Sequence, residues 1–215
     1  MLLAVVLLYV GVVLIVNGIW LIGQARAAAE PAPAAVGAPA EVPASAGGRA
    51  AEPAPNRAES SPLYLQNREV AVINIFTGFV GVVIALILLV QGAVGNDLAA
   101  VRGGGFILLV AFTYLWVAFN QYLYASGHAF GWYCLFVAIT AIPAGIFTLQ
   151  NTGGNPAAVW LGLNWFAWAV LWAVFWALLA LERPVARLAG WLAIIEGIVT
   201  AWALGFVVLI GALSF

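Results

Sequence analysis

Six apolar runs, each long enough to cross a lipid bilayer, constrain this chain more than any other feature. They cover roughly residues 2–22, 70–91, 105–124, 131–149, 157–181 and 188–213. A helix rising 1.5 Å per residue needs about 20 residues to traverse about 30 Å of hydrocarbon. Breakers or charges bound the runs: GNDLAAVRGGG, ASGHAFG, QNTGGNP and ERPVAR. The strands of a membrane barrel would alternate apolar and polar residues, and these runs do not. The composition agrees, since 66% of the 215 residues are hydrophobic and only 7% are charged. A soluble domain carries about 25% charged residues, so lipid must solvate most of this chain. The expected fold is an all-α integral membrane protein, a bundle of six transmembrane helices.

The same inventory excludes several function classes. A net charge of −1 offers no basic patch for nucleic acid. One cysteine, Cys134, rules out an internal disulfide framework and a multi-cysteine metal site. No cofactor motif, HExxH metalloprotease motif or catalytic serine motif is present. The first run starts at Leu2 with no positive charge before it, so it reads as a transmembrane helix and not as a signal peptide.

Orientation follows from the arginines. Arg26, Arg49, Arg57 and Arg68 lie between runs one and two, and Arg183 and Arg187 between runs five and six. With six spans these loops share one side, which the positive-inside rule makes cytoplasmic. Both termini are then expected on the outer side, and Arg102 is the one arginine there. The whole chain, residues 1–215, reads as a single transmembrane domain. It is interrupted at about residues 24–62 by an insert rich in Ala, Pro, Gly and Glu. That insert has too little apolar bulk to offset its ordering entropy, so it is expected to be a disordered cytoplasmic loop.

Within the runs, small residues and aromatic faces set the contacts. Ala193, Gly197, Ala201 and Gly205 make a small stripe, as do Gly78 and Gly81, which predicts close helix packing. Trp165, Trp168, Trp172 and Trp176 fall on one helix face and are expected to stack there as a core wall or a pore wall. Phe112, Trp116, Asn120 and Tyr124 make a second aromatic face, and Leu7, Val10 and Leu14 an aliphatic one. Pro143 predicts a kink in the fourth helix. In GWLAIIEGIVTAW, Glu196 sits near half depth, with Thr200 one turn beyond it. Intramembrane carboxylates usually face a bundle interior or a wet pathway, and a carboxyl satisfied by neighbouring helices is the plainer alternative.

Several stretches resemble those of the urea channel and amide transporter family (UreI/AmiS): LLYVGVVLIVNG, REVAVIN, FTYLWVAFNQYL, GWYCLFVAITAIPA, NWFAWAVLW and WLAIIEGIVTAW. The resemblance implies six helices per protomer, a homo-hexamer, and one pore within each protomer in the bacterial cytoplasmic membrane. That pore would pass urea or short aliphatic amides to a cytoplasmic urease or amidase. It places Leu7, Val10, Leu14, Phe112, Trp116, Trp165, Trp168, Trp172 and Glu196 on the pore wall, and spacing adds Asn120 and Thr200. The acid-gated members carry histidines between helices two and three, where this chain has none, so acid gating by that route is not expected. No energy source is visible in the sequence, which favours passive flow over a proton-coupled carrier using Glu196.

Overall fold

The computed structural model describes residues 1–29, 61 and 63–215. The expected insert at about 24–62 lies outside the described residues except at its edges, where Gln24 to Ala27 continue the first helix. The helices are α1 (Leu2–Ala27), α2 (Asn67–Gly95), α3 (Leu98–Leu123), α4 (His128–Gln150), α5 (Pro156–Leu179) and α6 (Ala186–Leu209). All six are long and apolar enough to span a membrane. Among the described residues there is no strand.

Local signals start and stop these helices. Gln66 and Glu69 form a capping box at the start of α2, with the Gln66 N–H donating to Glu69 Oε2 at 2.9 Å. Asp97 caps α3 by accepting from the Ala99 and Ala100 N–H groups. Asn155 caps α5 ahead of Pro156, whose missing N–H costs nothing at the first helical position. Only Asn96 and Asp97 separate α2 from α3, so the two helices must run antiparallel as neighbours.

The helices associate as three antiparallel pairs, α2 with α3, α4 with α5, and α1 with α6. The small residues explain the closeness of each pair. A Cβ added at Gly197 would lie 2.9 Å from the Gly11 carbonyl oxygen, and one at Gly205 would lie 2.9 Å from the Leu8 nitrogen. Gly78 and Gly81 meet Leu115 and Ala111 of α3 in the same way. Without a hydrophobic drive between helices in lipid, such backbone approach supplies the dispersion contacts that hold them. The stripes in α2 and α6 therefore pack as expected.

Polar side chains fasten the remaining seams. Asn17 of α1 and Asn74 of α2 exchange amide hydrogen bonds of 3.1 and 2.7 Å, fully inside the bundle. Near the same end, Trp20 donates to Asn67 Oδ1 and Gln24 to the Leu65 carbonyl. The described residues flanking the insert are thus joined at one end of the bundle.

Two helices carry irregular positions. α4 runs from His128 to Gln150 with Pro143 inside it. α6 widens into a π turn, Gly197–Trp202, immediately after Glu196. Side chains bond to carbonyls of this turn. The Thr200 hydroxyl donates to the Glu196 carbonyl, and Asn164 Nδ2 of α5 donates to the Thr200 carbonyl at 2.6 Å.

Candidate permeation pathway

α1, α3, α4 and α5 enclose an elongated, mainly apolar cavity of about 340 Å³. Its lining extends from Leu3 to Leu21 on α1, from Ala99 to Val117 on α3, and from Ala158 to Phe175 on α5. Seventeen or eighteen residues at 1.5 Å each span about 26–27 Å, close to the whole hydrocarbon thickness. A volume of about 340 Å³ spread over that height makes the cavity narrow. The cavity is a slot for one small molecule at a time.

Six of the expected residues lie on this slot: Leu7, Val10, Leu14, Trp165, Trp168 and Trp172. The indoles do not stack as expected. Trp165 and Trp168 meet edge-on at 5.3 Å and 79°, and Trp168 and Trp172 at 6.5 Å and 71°. Edge-to-face contact suits the quadrupoles of aromatic rings better than a parallel sandwich. Trp168 is also tethered, its Nε1 donating to Thr200 Oγ1 at 2.8 Å. Trp176, the fourth member of the row, leaves the slot and packs against Trp132.

The other five expected residues do not line the slot. On α3 the lining face carries Phe106, Val110, Thr113, Tyr114 and Val117. Phe112 lies two residues, about 200° of helix rotation, from both Val110 and Tyr114. It is accordingly 44% exposed on the bundle's outside. Trp116 packs on Phe130 and Tyr133 of α4, at 5.7 and 5.4 Å. Asn120 sits by the α3–α4 turn, beside Gly127. Two helical aromatic faces coexist on α3, and spacing alone could not say which one the fold turns inward. Phe106, which the spacing did not single out, meets Trp165 across the slot at 5.1 Å and 60°.

Glu196 and Thr200 are buried, each 6% exposed, yet neither reaches the slot. Val10, Leu14, Tyr114 and Leu171 form one packed cluster with Ala193 and Ala201 of α6. Those four side chains line the slot and stand between it and α6. Tyr114 lies within electrostatic range of the Glu196 carboxylate. Glu196 Oε2 is buried without a hydrogen-bond partner among the described residues. Glu196 and Thr200 therefore back the wall, with Thr200 holding Trp168 in place. No group of His, Cys, Asp and Glu among the described residues could hold a metal ion.

Comparison with known proteins agrees with this architecture. Residues 63–212 match the AmiS/UreI family transporter profile, well over half of the chain. The chain belongs to the AmiS/UreI family. It is 32% identical over 157 residues to the acid-activated urea channel of Helicobacter pylori, covering 63% of this chain and 80% of that one. It is 35% identical over 142 residues to a Mycolicibacterium smegmatis protein named for the transport of amidate substrates, covering 65% and 63%. The crystal structure of the H. pylori urea channel superposes with a TM-score of 0.72 at 29% identity, covering 99% of each chain. These AmiS/UreI relatives are channels and transporters, not enzymes. The family match begins at residue 63, just past the insert, whereas the structural match takes in α1 as well.

Proposed function

We propose that this chain is a passive channel for small neutral amides, either urea or short aliphatic amides. In this reading it sits as a homo-hexamer in the bacterial cytoplasmic membrane, with both termini outside, and feeds a cytoplasmic urease or amidase. The slot of nearly full membrane height carries the proposal. In the idealised Born treatment, moving an ion into a medium of low dielectric costs on the order of 20 kcal/mol. A neutral amide deprived of its hydrogen bonds costs about 4–8 kcal/mol in cyclohexane, and a few polar atoms along the wall offset part of that. Ions are excluded and amides pass.

The wall supplies both halves of amide recognition. Flat indole and phenyl faces, those of Trp165, Trp168, Trp172 and Phe106, sandwich a planar solute. Thr113 has already given its proton to the Val110 carbonyl at 2.6 Å, so it presents acceptor lone pairs to an amide N–H. The Tyr114 phenol donates to the carbonyl oxygen. Few strong contacts at any point let the solute leave as readily as it enters.

Stopped-flow swelling of proteoliposomes tests this reading. Urea or acetamide should equilibrate fast without any ion gradient, at the same rate with and without an uncoupler, and equally at outer pH 5 and 7. Val10→Trp, which fills the slot, should cut the rate at least tenfold. Accumulation above the external concentration would sink passive flow. The rival, a proton-coupled carrier, has one observation in its favour, the unpartnered Glu196 Oε2. Against it, that oxygen does not reach the slot.

A further inference from the structure

Among the described residues, Arg102 is the one charged side chain on the slot. It lies near the start of α3, at the end of the bundle opposite Arg26, Arg68, Arg183 and Arg187, so in the orientation above it is at the outer mouth. Its guanidinium carbon sits 4.1 Å over the centre of the Phe147 ring. Stacking fixes the guanidinium plane and leaves the N–H donors at its edge. Among the described residues no carboxylate pairs with it. Thr148 of α4 and Asn151, just past its end, line the same mouth. Asn151 donates through Nδ2 to the Phe147 carbonyl at 2.7 Å, and Thr148 donates to the Ala144 carbonyl at 2.8 Å. Both side-chain oxygens therefore remain as acceptors. The mouth combines a planar fork of fixed donors with two acceptors, the complement of a carboxamide.

We propose that Arg102 is the outer capture and selectivity residue of the channel. Its N–H edge takes the carbonyl oxygen of an incoming amide while Asn151 and Thr148 accept its N–H groups, beginning the exchange of water for protein contacts before the apolar slot. The inference rests on the channel reading. It adds a consequence which that reading does not contain: guanidinium, a planar isostere of urea, is refused at the mouth. Guanidinium carries a positive charge and lacks the acceptor oxygen that Arg102 would bind.

Urea flux into proteoliposomes is measured for wild type, Arg102→Gln and Arg102→Lys, with and without guanidinium at the urea concentration. A matched melting temperature establishes that each variant is folded. Wild-type flux should be unaffected by guanidinium. Arg102→Gln should lower flux at low urea concentration roughly tenfold, the scale of a lost charge-assisted hydrogen bond, and should make the remainder sensitive to guanidinium. Arg102→Lys should lose flux as Gln does, because an ammonium lacks the planar fork; full rescue by Lys would overturn the capture geometry. In a second readout, phenylglyoxal modification of Arg102, followed by mass spectrometry of its peptide, should be slowed by urea or acetamide. Unaltered flux in Arg102→Gln without protection would end the proposal and leave the channel intact. Protection in a wild type that conducts neither solute would keep the capture site and end the channel reading.

Discussion

Thr200 shows how much one side chain can carry in a bundle with few polar groups. Its oxygen accepts the Trp168 indole N–H, its proton goes to the Glu196 carbonyl, and its own carbonyl receives Asn164. Three side-chain hydrogen bonds meet at this one residue, beside the widened turn of α6. Thr200→Val keeps the shape and deletes the oxygen. It should destabilise the protein by about 1–3 kcal/mol, the cost of leaving a buried polar group unpaired. Trp168, no longer tethered, should also disturb the slot. The expected outcome is a lower melting temperature in detergent together with several-fold slower urea flux, both restored by Thr200→Ser. An unchanged melting temperature would show that the tether is not needed.

At the scale of an element, α3 is the helix whose rotation decides the site. Its aromatic residues occur on two faces, one with Phe106 turned to the slot and one with Phe112 turned outward. Truncation separates them. Phe106→Ala removes half of the Phe106–Trp165 contact and should change the rate of urea flux, and its discrimination between urea and acetamide, by severalfold. Phe112→Ala should leave both within about twofold, as substitutions away from packed features usually do. The reverse result in the same swelling assay would restore the register first expected from spacing. α6 makes the same point from the other side. Glu196 lies on a buried face, as a carboxyl in an apolar helix must, but α1, α3 and α5 stand between that face and the cavity.

For the molecule as a whole, the α1–α2 seam closes at the described residues on either side of the insert. The bundle is held on both sides of it, by Trp20 to Asn67 and by Gln24 to the Leu65 carbonyl, so closure of the α1–α2 seam does not depend on what lies between. Replacing residues 30–60 by a short Gly/Ser linker should keep urea flux unchanged. Each halving of loop length should also lower the cost of closure by about 0.6 kcal/mol, giving an equal or slightly higher melting temperature. A loss of flux in that variant would assign the insert a role in conduction. Much of this architecture was legible without coordinates. Six helices follow from run length against bilayer thickness, close pairs follow from the small residues, and the tryptophan face of α5 follows from its spacing, because each depends on neighbours along a single helix. Which faces enclose the slot depends on how six cylinders are rotated against one another, and periodicity leaves that open wherever a helix carries two plausible faces. Only the tertiary structure could therefore exchange Phe112 for Phe106, set Glu196 behind Tyr114 and Leu171, and bring Arg102 to the mouth. Those placements are settled by contacts between helices, which no single helix encodes.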